Sequence, residues 1–171
     1  MKENPEKGMK HLEENFRAEM LGHYDIEFIK NYVASQRGSK IEVNGANIYY
    51  EKVGQGPHPV LFCPGTSGTI ASDCLPLMLP GGFDREAFTL VAWEARGYGS
   101  SCPPKRESYP LDFFENDARD AVTLMEKLGY KRFSWIGWCA GGNVGLVAAS
   151  LFPNAIRSLV TWGAYPIIST L

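Results

Sequence analysis

The segment from Phe133 to Gly142, F-S-W-I-G-W-C-A-G-G, carries the clearest structural signal in this chain. Its pattern predicts a short apolar strand, a sharp turn of the form G-x-C-x-G and the start of a helix of small residues. In a strand-to-helix turn that carries a nucleophile, a Cβ two positions before or after the nucleophile would collide with the neighbouring elements. Gly137 and Gly141 avoid that collision around Cys139. The motif therefore predicts a nucleophile elbow, with Cys139 at the nucleophile position.

The helix after this turn bears on the chemistry that we expect at Cys139. We predict that it begins near Gly142. Its unpaired N–H groups and the positive end of its dipole would then point at the sulfur of Cys139. Such a place favours a thiolate or an oxyanion.

The flanking segments predict an α/β fold with a mostly parallel sheet. Asn44-Gly45 between two extended segments is the strongest short-range signal for a hairpin. Continuous apolar runs such as Val60–Cys63 are typical of strands that are buried on both faces of a parallel sheet. Besides the strand before Cys139, we predict strands at 41–43, 47–51, 60–63, 90–93 and 156–162.

Two segments are predicted as helices that flank the sheet. Residues 111–128 carry apolar side chains at helical spacing, with Asp112 placed as N-cap and Gly129 as the stop signal. We interpret Asp117 and Asp120 on this helix as part of a solvated face. The segment 144–149 is small and apolar all round, which suits a helix buried against the sheet.

The chain is predicted to have two parts. Residues 1–39 are interpreted as a charged helical extension and linker, with one apolar helical face formed by Met9, Leu12, Phe16 and Met20. Residues 40–171 are interpreted as the partial core of the fold. The first residues lack an apolar signal-peptide core, and the acidic residues among them argue against mitochondrial import. We expect a cytoplasmic protein, with a mitochondrial location as the alternative.

Motifs outside the elbow add a family resemblance. Pro64-Gly65-Thr66 closes one apolar strand, and E-A-R-G-Y-G-S-S at 94–101 closes another, both upstream of the elbow. This arrangement resembles the α/β-hydrolase family, and the chain is predicted to be the N-terminal part of that fold. Residues 40–165 are similar to its valacyclovir hydrolase (biphenyl hydrolase-like) branch.

The resemblance implies the hydrolysis of carboxylic ester or thioester bonds in a small-molecule substrate. Cys139 would attack the carbonyl carbon, and the backbone N–H groups of Thr66 and Ala140 would hold the oxyanion. Close relatives usually have serine at the nucleophile position. In the valacyclovir hydrolase branch an aspartate follows the nucleophile and recognises an α-amino group. Ala140 stands there in this chain, so no preference for amino-acid esters is implied.

The acid, the histidine and the lid of the family have no counterpart in this sequence. Its last histidine, His58, precedes the Val60 strand and would lie on the order of 15 Å from the elbow. We therefore expect the N-terminal part of a longer enzyme, or a short isoform. The alternative function is that of a non-catalytic binding or interaction module. The strand that ends at Trp162 would then be an open sheet edge that could support self-association.

Composition excludes several other function classes. A formal net charge of -2 and a pI near 5.9 give no basic surface for nucleic acid. No apolar run approaches the ~20 residues that span a bilayer, so we expect no membrane partner. The spacings of the cysteines and histidines predict neither a disulfide framework nor a metal site. We expect no cofactor.

Overall fold

The computed structural model describes residues 26–35 and 37–165. The chain divides into two compact units, residues 1–37 and 38–171. In the first unit, helix α1 spans Ile26–Ala34. The apolar helical face predicted between Met9 and Met20 lies outside the described residues, and the interpretation of residues 1–39 as an extension stays a prediction.

The second unit contains the strands, helices and short helical turns that build the site. Its strands are β1 (Ser39–Val43), β2 (Ala46–Val53), β3 (His58–Cys63), β4 (Phe88–Glu94), β5 (Phe133–Trp138) and β6 (Ile156–Trp162). Its helices are α2 (Leu75–Met78), α3 (Phe113–Lys127) and α4 (Ala140–Leu151). A π-helical turn at Ile70–Cys74 precedes α2, and a 3-10 turn covers Gly99–Ser101. Every predicted strand is present within a few residues of its expected bounds.

The six strands form one sheet in the order β1-β2-β4-β3-β5-β6. β1 and β2 make the predicted hairpin, with positive φ angles at Asn44 and Gly45. β2 pairs with β4 antiparallel, whereas β4, β3, β5 and β6 run parallel. The predicted α/β class is thus confirmed, with a mostly parallel sheet, an N-terminal hairpin and flanking helices.

The parallel strands determine where the site lies. β3 pairs with β5 in a register that sets Cys63 opposite Gly137. Because parallel strands end at the same edge, the loop after Cys63 and the turn after Trp138 meet there. The core holds this edge in place through fully buried side chains on both strands, including Phe62 and Trp135.

The interpretation of Asp117 and Asp120 as a solvated face is wrong. Asp120 is only 1% exposed, and its carboxylate binds the Arg96 guanidinium with atom separations of 2.6 and 2.8 Å. It also accepts a 2.9 Å hydrogen bond from the Asn44 side-chain amide. Asp117 is buried and pairs with Arg106. Both aspartates are covered because the loop after β4 and the hairpin turn bring cations and amides onto α3.

Of the two predicted helices, α3 differs from the sequence prediction in one detail and α4 agrees with it. Asp112 occupies the N-cap position of α3, but its side chain makes no capping hydrogen bond. Helix α4 is buried along Val144 and Ala148, whereas Leu146 on its other side is 50% exposed. The predicted helix buried against the sheet is therefore confirmed, and the described elements cover α4 on that one side only.

Strand β6 is the last strand of the sheet as described. Val160 is 58% exposed and Trp162 is 48% exposed, as expected for an open edge. Self-association through this edge stays a prediction. In the described part of the chain, no helix is both long and apolar enough to cross a membrane.

Candidate active site

Cys139 occupies a strained backbone position between β5 and α4. Its φ is 52° and its ψ is −124°, a combination that non-glycine residues rarely adopt. Its N–H donates a 3.0 Å hydrogen bond to the carbonyl oxygen of Trp162, and its own carbonyl oxygen accepts from Gly142 and Asn143. Helix α4 begins directly afterwards at Ala140, two residues earlier than predicted. The first N–H groups of that helix therefore lie beside Cys139.

Gly137 and Gly141 are required by close backbone contacts, as the motif predicts. A Cβ on Gly137 would lie 2.6 Å from the carbonyl carbon of Gly141. A Cβ on Gly141 would lie 2.7 Å from the carbonyl carbon of Cys63 and closer still to its oxygen. Real Cβ atoms are essentially never found this close to backbone. The two glycines thus let β3, β5 and α4 approach one another at this turn.

The loop after β3 lies against the same turn. A Cβ on Gly65 would be 3.3 Å from the Cβ of Cys139, so the loop passes directly beside the Cys139 side chain. Thr66 and Ala140 both line a cavity of about 20 Å3 beside the turn, which is room for about one water molecule. The structure thus brings Thr66 and Ala140 to one cavity, whereas Cys139, which directly precedes Ala140 in the chain, is not among the residues that line it. Their chemical roles remain predictions.

Asp73 is a site residue that the sequence analysis missed. It lies on the π-helical turn at Ile70–Cys74. One of its carboxylate oxygens, Oδ2, accepts hydrogen bonds from the backbone N–H of Gly65 at 2.8 Å and from the indole N–H of Trp138 at 2.7 Å. No motif signals this contact, because Trp138 lies 65 residues further along the chain.

Glu94, the last residue of β4, binds two loops at the same edge of the sheet. Its buried carboxylate accepts hydrogen bonds from the backbone N–H groups of Ile70, at 3.0 Å, and Ser100, at 2.5 Å. Burial raises the pKa of Glu94, and these two N–H donors partly oppose that rise. Glu94 thus connects the turn that carries Asp73 to the loop after β4.

A Glu94→Gln substitution should reduce the pH dependence of stability. Because the pKa of Glu94 is raised in the folded state, the native protein binds more protons than the unfolded chain between the two pKa values. The contribution of Glu94 to the free energy of unfolding is therefore present in full below its pKa in the unfolded chain. It is lost as pH rises through its pKa in the native protein. Asp117 changes stability with pH in the same direction, since burial raises its pKa too.

Urea unfolding of both proteins from pH 4 to 7 measures this effect. The free energy of unfolding of the variant, minus that of the parent, should increase with pH above about 4.5, the ordinary value for glutamate. Asp117 contributes equally to both proteins, so it drops out of the difference. A difference that does not change with pH would contradict the role of Glu94.

The four cysteines, Cys63, Cys74, Cys102 and Cys139, are free thiols that differ in exposure. Cys63 and Cys74 are buried, and burial raises the pKa of each thiol. Cys102 and Cys139 are half-buried. In the folded protein, Cys102 is therefore the matched comparison for Cys139.

His58 lies at the start of β3, at the opposite end of the strand from the candidate site. Its Nδ1 is 3.1 Å from a guanidinium nitrogen of Arg157 on the surface. This placement agrees with the prediction that His58 cannot act as the base for Cys139. Within residues 26–35 and 37–165, no three His, Cys, Asp or Glu side chains are grouped to hold a metal ion.

Comparison with known proteins shows the family to which this chain is related. The profile of the alpha/beta hydrolase fold family matches residues 58–170. Serine hydrolase BPHL of Mus musculus is 43% identical over 138 residues, which cover 81% of this chain and 46% of that protein. The Homo sapiens protein of the same name is 44% identical over 130 residues, covering 76% and 44%. The predicted similarity to the biphenyl hydrolase-like branch is thereby confirmed.

A solved structure shows the same fold. An epoxide hydrolase from Vigna radiata superposes with a TM-score of 0.60 at 25% identity, over 72% of this chain and 38% of that one. The chain spans about half the length of the curated relatives it matches.

Proposed function

This chain belongs to the α/β-hydrolase family, and on that basis we propose that it acts on carboxylic ester or thioester bonds with Cys139 as the nucleophile. One observation supports this assignment above the others. Cys139 is held in a strained turn, at a φ of 52° and a ψ of −124°, which a cysteine that serves only for packing would not need. Strain of this kind is typical of positions that present a reactive group.

The proposed step is acyl transfer to sulfur. The thiolate of Cys139 attacks the carbonyl carbon, and the carbonyl oxygen becomes an oxyanion that the N–H groups of Thr66 and Ala140 stabilise. The tetrahedral intermediate then collapses. The bond to the alcohol or thiol leaving group breaks, that group departs with the electron pair, and Cys139 is left as an acyl thioester.

Release of the acyl group requires a base that activates water. In the family a histidine from a later segment of the chain has this role. His58 lies at the other end of β3 and does not supply it. Acylation of the thiolate, in contrast, needs only Cys139 and the two proposed N–H donors, so it can be measured on this chain.

The alternative is a non-catalytic relative that uses the fold as a binding or interaction module. The position of His58 and the exposed β6 edge at Val160 and Trp162 favour it. In that case Cys139 would behave as an ordinary half-buried thiol. The two functions therefore differ in the reactivity that they predict for Cys139 relative to Cys102.

We expect p-nitrophenyl acetate to acylate Cys139 at least tenfold faster than Cys102. The reaction is run at pH 8.5, where an ordinary thiol is about half ionised. It is then quenched in acid, and peptide mass mapping gives the acyl group on each cysteine. Attack by Cys139 forms an oxyanion that two N–H donors stabilise, and removal of one such donor costs about 100-fold or more in rate. A Cys139→Ala variant is the control, and equal rates at the two thiols would favour the non-catalytic alternative.

A further inference from the structure

We propose that Asp73 is a positioning residue that keeps the candidate oxyanion donors in register with Cys139, an inference that rests on the proposed function. Its carboxylate contacts Gly65, the residue directly before Thr66. It also contacts Trp138, the residue directly before Cys139. Both bonded groups are thus one residue away from a group that acts on the substrate.

The geometry of the two hydrogen bonds suits this role. Both end on the same oxygen, Oδ2, at 2.8 Å from the N of Gly65 and 2.7 Å from the Nε1 of Trp138. One atom therefore sets the separation between the loop after β3 and the end of β5. Hydrogen bonds to a charged acceptor are shorter and stronger than those between neutral groups.

Asp73 is itself held in place from several directions. Its other carboxylate oxygen accepts a 2.6 Å hydrogen bond from the hydroxyl of Ser72. Thr69 and Ser72 form a reciprocal capping box that fixes the turn on which Asp73 lies. A Cβ on Gly68 would collide with the carboxylate, so the loop after β3 folds tightly around it.

Loss of this carboxylate should slow acylation of Cys139 more than it changes the general reactivity of the Cys139 thiol. The N–H of Thr66 is positioned by a loop whose neighbouring N–H, at Gly65, binds Asp73. A misplacement of about 1 Å in a reacting geometry can cost on the order of 100-fold in rate. Alkylation by iodoacetamide, in contrast, is a displacement at a saturated carbon. It forms no oxyanion and does not need the donors.

The test compares the two reactions at Cys139 in the full chain. Acylation by p-nitrophenyl acetate and alkylation by iodoacetamide are measured for the parent and for the Asp73→Ala and Asp73→Asn variants. We expect Asp73→Ala to slow acylation at least tenfold while alkylation changes less than about threefold. Asp73→Asn keeps an oxygen that can accept both hydrogen bonds, so its acylation should stay within about threefold of the parent.

Other outcomes would overturn the proposal. An Asp73→Ala protein in which both reactions fall equally has lost the turn as a whole, and one in which neither falls has no need of Asp73. If Asp73→Ala does not fold, a Trp138→Phe variant carries the test, because it removes one of the two donors to the carboxylate. It should slow acylation selectively, and an unchanged rate would refute the role.

The proposed function fails separately, in the parent protein. If the parent shows no preference for acylation at Cys139 over Cys102, there is no oxyanion site for Asp73 to position. Both proposals are then wrong. A parent that acylates normally, with an Asp73→Ala variant that does the same, refutes the role of Asp73 alone.

Discussion

A Gly141→Ala substitution is expected to lower the free energy of unfolding by about 3 kcal/mol, at the upper end of overpacking costs. The added Cβ would lie 2.7 Å from the carbonyl carbon of Cys63 and closer still to its oxygen. These contacts are with the backbone of β3, which cannot move without breaking the parallel pairing of β3 with β5. Helix propensity alone would give a gain of about 1 kcal/mol for this change. The sign of the effect therefore shows whether the close approach exists.

Urea unfolding measures this difference, and Gly129→Ala is the matched control. Gly129 has a φ of +90°, and a Cβ there would meet nothing within 4 Å. The only cost in that variant is the left-handed backbone of a non-glycine residue, so its free energy of unfolding should fall by about 1 kcal/mol. Equal losses in the two variants, or a gain at Gly141, would show that the chains do not approach as closely as the structure indicates.

An Asp120→Ala substitution should cost about 2 to 3 kcal/mol in the free energy of unfolding. The change removes the acceptor of the Arg96 guanidinium and of the Asn44 side-chain amide. Loss of one partner from a buried ion pair typically costs about 3 to 5 kcal/mol. The Arg96 side chain is 36% exposed, so water can hydrate the remaining charge and reduce the loss.

Two comparisons make the Asp120 prediction specific. Glu126→Ala, at an exposed position of the same helix, should stay within about 0.5 kcal/mol of the parent. The double variant Arg96→Met/Asp120→Ala should lose less than the sum of the two single changes, because each single change leaves an unpaired partner. Additive losses would mean that the two side chains do not interact in solution.

Local patterns were sufficient to predict most of the architecture. The strands follow from continuous apolar runs such as Val60–Cys63, and the hairpin follows from Asn44-Gly45. The turn around Cys139 follows from the glycines on either side of it, because the steric requirement there lies within a few residues. Parallel pairing then predicts that the loop with Thr66 meets this turn, since the carboxyl ends of parallel strands share an edge.

The polar network was beyond the reach of sequence analysis. Asp117 and Asp120 have the spacing of a solvated helical face, yet Arg106 and Arg96 fold back onto them from the loop that precedes the helix. Asp73 stands in a stretch without any catalytic motif, and only the fold brings it to Trp138. Glu94 likewise gives no sequence signal that its carboxylate is buried.

Local patterns in the sequence thus predict the strands, the main helices, the turn at Cys139 and the family. Each of these depends on apolar periodicity or on steric limits among neighbouring residues, which the order of side chains records directly. The burial of the carboxylates and their hydrogen-bond partners depend instead on contacts that form in the folded chain. A hydrogen bond needs its two atoms within about 3 Å, and for Asp73 and Trp138 the folded chain alone closes a gap of 65 positions.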